Sequence, residues 1–277
     1  MHNVTANGAT IPALGFGTFR VPGPDVLRIV PHALKLGFRH VDTAQIYGNE
    51  AEVGEAIIHS GVARGDIFLT TKVWVEYYGH DAFIKSVDES LMKLKTDYVD
   101  LLLLHWPNEA VSLAEQIGAL NEVKEAGKVC HIGVSNFNTE LMAESVRLSK
   151  APIVTNQIEL HPYLNQDVVI AAAKKAGMSV TGYFGMADGK VFNDTVLKDI
   201  GARHGKSVAQ VVLRWLVQQE GVIALSKTVG EARVAENLAI FDFALTADEM
   251  AAIHALAVPD GRIVSPDGLA PVWDKAA

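Results

Sequence analysis

DYVDLLLLHW, residues 97–106, is the stretch on which the fold turns. Four consecutive leucines leave no alternation of apolar and polar positions, so the segment reads as a strand covered on both faces, as in a parallel sheet under helices. DIFLTTKV (66–73) has the same character, and the helical pattern over 81–94 between the two is long enough for a right-handed crossover. Working outward, RHVDTA (39–44) precedes a helix over 50–60, and a helix over 113–126 leads to KVCHIGVSN (128–136). Helices over 139–148 and 166–176 separate IVTNQIEL (153–160) and MSVTGYF (178–184). Helices over 194–204 and 207–219 precede GVIALSK (221–227), and 231–241 and 246–257 supply the closing helices. With LGFG (14–17) as the first strand, the count is eight βα units, the arithmetic of an α/β (β/α)8 TIM barrel rather than a doubly wound sheet. The opening VTANGATIPALGFG (4–17) reads as strand, Asn7-Gly8 turn and strand, a β-hairpin capping one end. No linker interrupts the pattern, so residues 1–277 read as a single domain, with 260–277 as a Gly- and Pro-rich loop laid across the surface.

Composition narrows the function. At 277 residues with 49% hydrophobic content the chain can bury one large core. A formal charge of -8, from 24 Lys+Arg against 32 Asp+Glu, and the lack of a basic run argue against nucleic acid. The polar start MHNVTANGAT has no signal-peptide pattern and no apolar run reaches bilayer length, so no membrane association is expected and a cytoplasmic protein is the expectation. A monomer is expected as well, although no motif sets the oligomeric state. Cys130 is the only cysteine, which excludes an intramolecular disulfide and a Cys-rich metal cluster; it is expected to be buried and inert, and no metal site is expected.

The strand ends carry the chemistry. In a barrel, residues at the C-terminal ends of strands face one site, so Asp42, Lys72 and His105 converge, with Tyr47 just beyond the first. Each alone has a plainer reading: a helix cap for Asp42, a half-buried aromatic for Tyr47, a core histidine for His105. Together they suit carbonyl reduction, in which hydride reaches carbon while an acid protonates the developing alkoxide. Tyr47 is the natural acid, with the Lys72 ammonium expected to lower its pKa, Asp42 the counterion of Lys72, and His105 fixing the substrate oxygen.

DTAQIYGNE (42–50), TTKVW (70–74), LLLLHWP (101–107), GVSNF (133–137) and NQIELHPYL (156–164) resemble the signature blocks of the aldo-keto reductases. DTAQIYGNEAEVG (42–54), TDYVDL (96–101) and VSPDGLAPVWD (264–274) resemble more narrowly the bacterial 2,5-diketo-D-gluconate reductase B group, which also reduces small aldehydes and methylglyoxal. The resemblance implies a (β/α)8 barrel that binds NADP(H), with Asp42, Tyr47, Lys72 and His105 as the catalytic tetrad. It further implies that Ser135, Asn136 and Gln157 hydrogen-bond the nicotinamide carboxamide and Tyr183 stacks on the ring. Lys227, Thr228 and Arg233 are implied to grip the adenosine 2′-phosphate, with Glu236 and Asn237 near adenine. Two cations and a hydroxyl beside a helix start make a reasonable phosphate seat, although a solvated first helical turn is the plainer account. A Rossmann cradle is not supported, because LGFGTFR lacks the third glycine. The polar SNF run also fits an ordinary cap, with Asn136 or Asn138 at the start of the next helix.

This chain departs from the family pattern in places. Tyr183-Phe184-Gly185-Met186 replaces a Tyr-Ser-Pro-Leu or Trp-Gly-Pro-Leu run, Ser226 stands where proline is usual, and Val75 replaces an asparagine after the pocket tryptophan. Phe19, Trp74 and Trp106 are the expected substrate-pocket aromatics, with Tyr77 and Trp273 as weaker candidates. The short NEAVSL stretch (108–113) implies an open site suited to small aldehydes and α-dicarbonyls. Two rival readings carry different chemistry. A noncatalytic NADPH-binding regulatory barrel is expected to lose a tetrad member, and none is lost. A Schiff-base aldolase using Lys72 conflicts with the Asp42 partner that keeps the lysine charged.

Overall fold

Strand and helix alternate through the computed structural model, which describes residues 1–275. Residues 276 and 277 of the expected surface loop lie outside the described residues. The chain opens with β1 (Asn3–Ala6) and β2 (Ala9–Pro12), an antiparallel hairpin. Its turn places Asn7 at φ 45° and Gly8 at φ 87°, the left-handed pair that a two-residue hairpin turn requires. Asn7 Nδ2 donates to the Ile153 carbonyl at 2.7 Å and to the Ala176 carbonyl at 3.1 Å. The hairpin is thereby fastened across the N-terminal ends of the barrel strands.

Eight parallel strands follow: β3 (Leu14–Gly17), β4 (His40–Asp42), β5 (Phe68–Val73), β6 (Val99–Leu104), β7 (Val129–Ser135), β8 (Ile153–Glu159), β9 (Ser179–Tyr183) and β10 (Val222–Ser226). They run in sequence order around a closed barrel, with β10 pairing both β9 and β3. Every residue of β5 and β8 is buried, as strands between a filled barrel interior and a helical layer should be.

The helical layer comprises α1 (Gly23–Leu36), α2 (Glu50–Ser60), α3 (His80–Leu94), α4 (Leu113–Glu125), α5 (Thr139–Leu148), α6 (Asp167–Lys175), α7 (Thr195–His204), α8 (Val208–Gln218), α9 (Glu231–Leu238) and α10 (Ala247–His254). The spans expected over 50–60 and 139–148 coincide with α2 and α5, whereas α9 and α10 stop three residues short of the expected 241 and 257. Side-chain caps fix several starts: Asn138 Oδ1 accepts from the Leu141 N–H at 2.8 Å at α5, and Ser207 with Gln210 forms a capping box at α8. The cap of α5 is therefore Asn138, not Asn136.

One expectation fails here. Cys130 is exposed: with the half-buried His131 it interrupts β7 between buried Val129 and the continuously buried run that begins at Ile132.

Candidate active site

The C-terminal strand ends do converge. Asp42 is the last residue of β4, Lys72 the fifth of β5, and His105 follows β6 directly, while Tyr47 ends a single 3-10 turn, Gln45–Tyr47, after β4. Lys72 is completely buried. Its Nζ donates to Asp42 Oδ1 at 2.5 Å, to the Thr43 carbonyl at 2.8 Å and to Tyr47 Oη at 3.3 Å. Three acceptors, one a carboxylate, exhaust the three N–H groups of an ammonium and offset part of its desolvation. Asp42 is held from its other side, where Oδ2 accepts from Gln157 Nε2 at 2.8 Å. Because Tyr47 Oη accepts from Lys72, its own proton is left to point elsewhere.

Tyr47 differs from the expectation in one respect. Its pKa is pushed well above 10, first by burial and then by the charge of Asp42, instead of being lowered by Lys72. Burial strips the hydration a phenolate would need and the Asp42 carboxylate repels it, so the contact with Lys72 does not lower the value. The phenol therefore keeps its proton throughout the neutral range. His105 is pushed well below its usual value by burial and by Lys72, and is a neutral imidazole. Its ring lies edge-on between Tyr47, 5.7 Å away, and Trp74, 5.3 Å away.

A cavity of about 860 Å³ opens over this cluster. Asp42, Tyr47 and His105 line it, whereas Lys72 lies behind Tyr47 and Asp42 and does not. Phe19, Trp74 and Trp106 also line it; Tyr77 does not, and Trp273 stands behind Trp106 at 6.4 Å. All nine residues expected at a cofactor line the same cavity: Ser135, Asn136, Gln157, Tyr183, Lys227, Thr228, Arg233, Glu236 and Asn237.

The polar end near His105 is already organised. Asn136, at φ 64°, donates from Nδ2 to the His105 carbonyl at 3.0 Å and to Ser135 Oγ at 3.1 Å, and Oδ1 accepts from Tyr183 Oη at 2.7 Å. Ser135 Oγ donates to the Gln157 carbonyl at 2.8 Å. Asn136 is thus as much a scaffold for Ser135 and Tyr183 as a free contact. At the other end Lys227 and Arg233 are exposed, and Thr228 is buried with Oγ1 accepting from the Gly230 N–H at 3.1 Å. One end offers amides and a hydroxyl for a carboxamide, the other two cations and a hydroxyl for a phosphate, and about 860 Å³ lies between them. That donor set fits a phosphorylated nicotinamide dinucleotide.

Sequence reading overlooked a charged pair on the rim of the cavity. Arg20, at φ 56°, and Asp188, at φ 54°, face each other at 4.0 Å on its rim. They come from loops after β3 and β9, and no local signal links them. The unusual Phe184-Gly185-Met186 run lines the cavity, with Phe184 at φ 63°. A Cβ at Gly185 would lie 3.0 Å from Leu216 Cδ1, a tight contact that the leucine side chain would have to relieve by a small shift. Ile46 and Phe192 add apolar surface that periodicity did not single out.

Residues 13–258 match the sequence profile of the Aldo/keto reductase family. The chain is 47% identical over 268 residues to a methylglyoxal reductase DkgB of Salmonella typhimurium, covering 96% of this chain and 100% of that protein. A crystal structure of a protein provisionally named 2,5-diketo-D-gluconic acid reductase B is 69% identical, with a TM-score of 0.98 over 99% of this chain and 98% of the other. A Gox0644 variant crystallised with NADPH is 36% identical, with a TM-score of 0.89 over 95% of this chain and 96% of the other. A closed eight-stranded barrel, an acid-base cluster at its strand ends and a profile match over most of the length agree: the chain belongs to the aldo/keto reductase family.

Proposed function

We propose that the protein is an NADPH-dependent reductase of small aldehydes and α-dicarbonyls, methylglyoxal among them. The observation that carries this reading is the Lys72 ammonium, bonded to both Asp42 and Tyr47, behind a phenol that keeps its proton on the floor of the cavity. When bound, the reduced nicotinamide supplies a hydride to the carbonyl carbon. Tyr47 donates its proton to the carbonyl oxygen as negative charge develops there, and Lys72 steadies the phenolate that remains. Neutral His105 hydrogen-bonds the same oxygen and sets its angle. Asp42 keeps Lys72 charged, and Gln157 keeps Asp42 in place.

Ser135, Asn136 and Gln157 would hold the carboxamide, and Tyr183, fixed through Asn136, would form the face against the ring. Lys227, Thr228 and Arg233 would take the 2′-phosphate, with Glu236 and Asn237 beside adenine. Phe19, Trp74 and Trp106 form an apolar wall with few polar groups, which suits small carbonyl compounds better than a heavily hydroxylated sugar acid. The similarity to a methylglyoxal reductase supports the same choice.

The test is NADPH oxidation followed optically with methylglyoxal, an aromatic aldehyde and 2,5-diketo-D-gluconate, beside the same assays with NADH. Turnover with NADPH and the two smaller substrates is expected. Binding of NADPH without turnover of any carbonyl would overturn the catalytic reading.

A further inference from the structure

The C-terminal tail crosses the cavity rim as a strap, and one buried carboxylate holds it. Glu159, the last residue of β8, is fully buried. Its Oε1 accepts from the Ile263 N–H at 2.7 Å and from His161 Nε2 at 2.9 Å. Its Oε2 accepts from the Val264 N–H at 2.9 Å and faces Arg262 Nη1 at 3.7 Å. The His161 tautomer is consistent, since its Nδ1 accepts from the Tyr163 N–H at 3.3 Å and leaves the proton on Nε2.

The strap is fixed on both sides of this anchor. Before it, the Val258 N–H donates to the Tyr163 carbonyl at 3.1 Å, and Gly261 lies so close that a Cβ there would fall 1.7 Å from the Tyr163 carbonyl oxygen. After it, the Arg262 guanidinium stacks 3.7 Å above the Trp273 ring, and Trp273 Nε1 donates to Ser265 Oγ at 3.1 Å. Asp274 then accepts from the Thr139 N–H at 2.9 Å and its hydroxyl at 2.6 Å. Val264, Pro266 and Leu269, between these fastenings, line the cavity.

We propose that Glu159 is a positioning residue for the carbonyl substrate: by pinning the backbone of Ile263 and Val264 it places the wall of Val264, Pro266 and Leu269 against the bound substrate. The donor count requires a carboxylate. Both oxygens receive N–H groups, so glutamine in its place would turn its own NH2 toward a backbone N–H or His161 and break one side of the anchor. A wall that shifts by an ångström weakens substrate binding without touching Tyr47, Lys72 or His105. The inference rests on the reductase reading. A competing route exists, because Glu159 pairs in register with Tyr183, at the expected cofactor face.

The experiment separates the two. Steady-state kinetics with an aromatic aldehyde at saturating NADPH are measured for the wild type, Glu159→Gln, Leu269→Ala and the double variant, and NADPH Kd is measured by fluorescence titration. Glu159→Gln is expected to raise the aldehyde KM about tenfold, with kcat and NADPH Kd changed by no more than about twofold. Leu269→Ala should add little in that background, since the wall is already displaced. An unchanged KM, fully additive effects, or an NADPH Kd that rises in step with KM would overturn the proposal. Ile263→Pro removes one N–H from the strap side and leaves Glu159 itself intact, and should reproduce the KM effect if Glu159→Gln does not fold. A wild type without turnover overturns the reductase reading and this inference with it, whereas unaffected variants of an active wild type overturn only the inference.

Discussion

Tyr47 is useful as an acid only while it holds its proton, and its surroundings ensure that it does. Burial and Asp42 raise its pKa well above 10, so reductive kcat should stay level from about pH 6 to 9 and fall only where the phenol ionises. A pH-rate profile with an alkaline limb near neutrality would contradict this. Tyr47→Phe removes the proton donor while leaving the Lys72–Asp42 pair intact, and should lower kcat by about 10²-fold or more with normal NADPH binding. Lys72→Met is a harsher change, because it strands a buried carboxylate; it should abolish turnover and also cost about 3–5 kcal/mol of stability, seen in denaturant melts. Arg233→Ala acts elsewhere. Removing one charge-assisted contact should weaken NADPH about tenfold or more and leave NADH nearly unaffected, as read by parallel titrations. The convergence of Asp42, Lys72 and His105 was legible because each lies at the C-terminal end of its own strand, and that of Tyr47 because it follows Asp42 within one short turn. The direction of the Tyr47 shift was not, since it depends on how completely Asp42 cancels Lys72 and on how dry the site is.

Elements place these side chains, and their boundaries were readable where a local rule settles them. Asn138 before 139–148 and the turn at Asn7-Gly8 have side-chain or backbone causes that a sequence displays. The exposure of Cys130, the Arg20–Asp188 approach and the Glu159 anchor have none, because each arises from chain segments that meet only when the barrel closes. Gly54 is an instructive intermediate. It closes the motif beginning at Asp42, yet its reason lies in packing: a Cβ there would fall 2.5 Å from the Leu94 carbonyl carbon and 2.6 Å from its oxygen, at the end of α3. Backbone cannot yield as a side chain can, so Gly54→Ala must push α2 away from α3. The expected loss is about 1–3 kcal/mol by thermal or denaturant unfolding. Since α2 starts three residues after Tyr47, part of the displacement should also appear as a lower kcat.

Across the whole molecule, response to acid depends on histidines of opposite sign. His40, in β4, is buried between Gly15 of β3 and Thr70 of β5; its Nε2 lies 3.1 Å from Thr70 Oγ1, and burial pushes its pKa down to about 4. The unfolded chain takes up that proton near 6.5 and the folded one only near 4, so stability is full above pH 6.5 and declines as pH falls toward 4. That interval corresponds to about 3 kcal/mol for this one side chain. His105, pushed down by burial and Lys72, adds to the loss in the same direction. His80 works the other way: Glu122 and Asp81 raise it to about 9, so its contribution is present below 6.5 and fades as pH rises through 9. His80 is exposed at the start of α3, where solvent and salt screen its partners, so the buried residue governs the balance. Urea melts at pH 7.5 and pH 5 should therefore show a clear loss at the lower pH that persists in 0.5 M salt, where the Debye length is only about 4 Å and exposed pairs are weakened more than buried ones. His40→Gln, which keeps a polar group near Thr70 but cannot titrate, should reduce the pH 5 to 7.5 difference, leaving the part due to His105, even if its stability at pH 7.5 is lower. An undiminished difference in that variant would move the origin of acid lability away from His40.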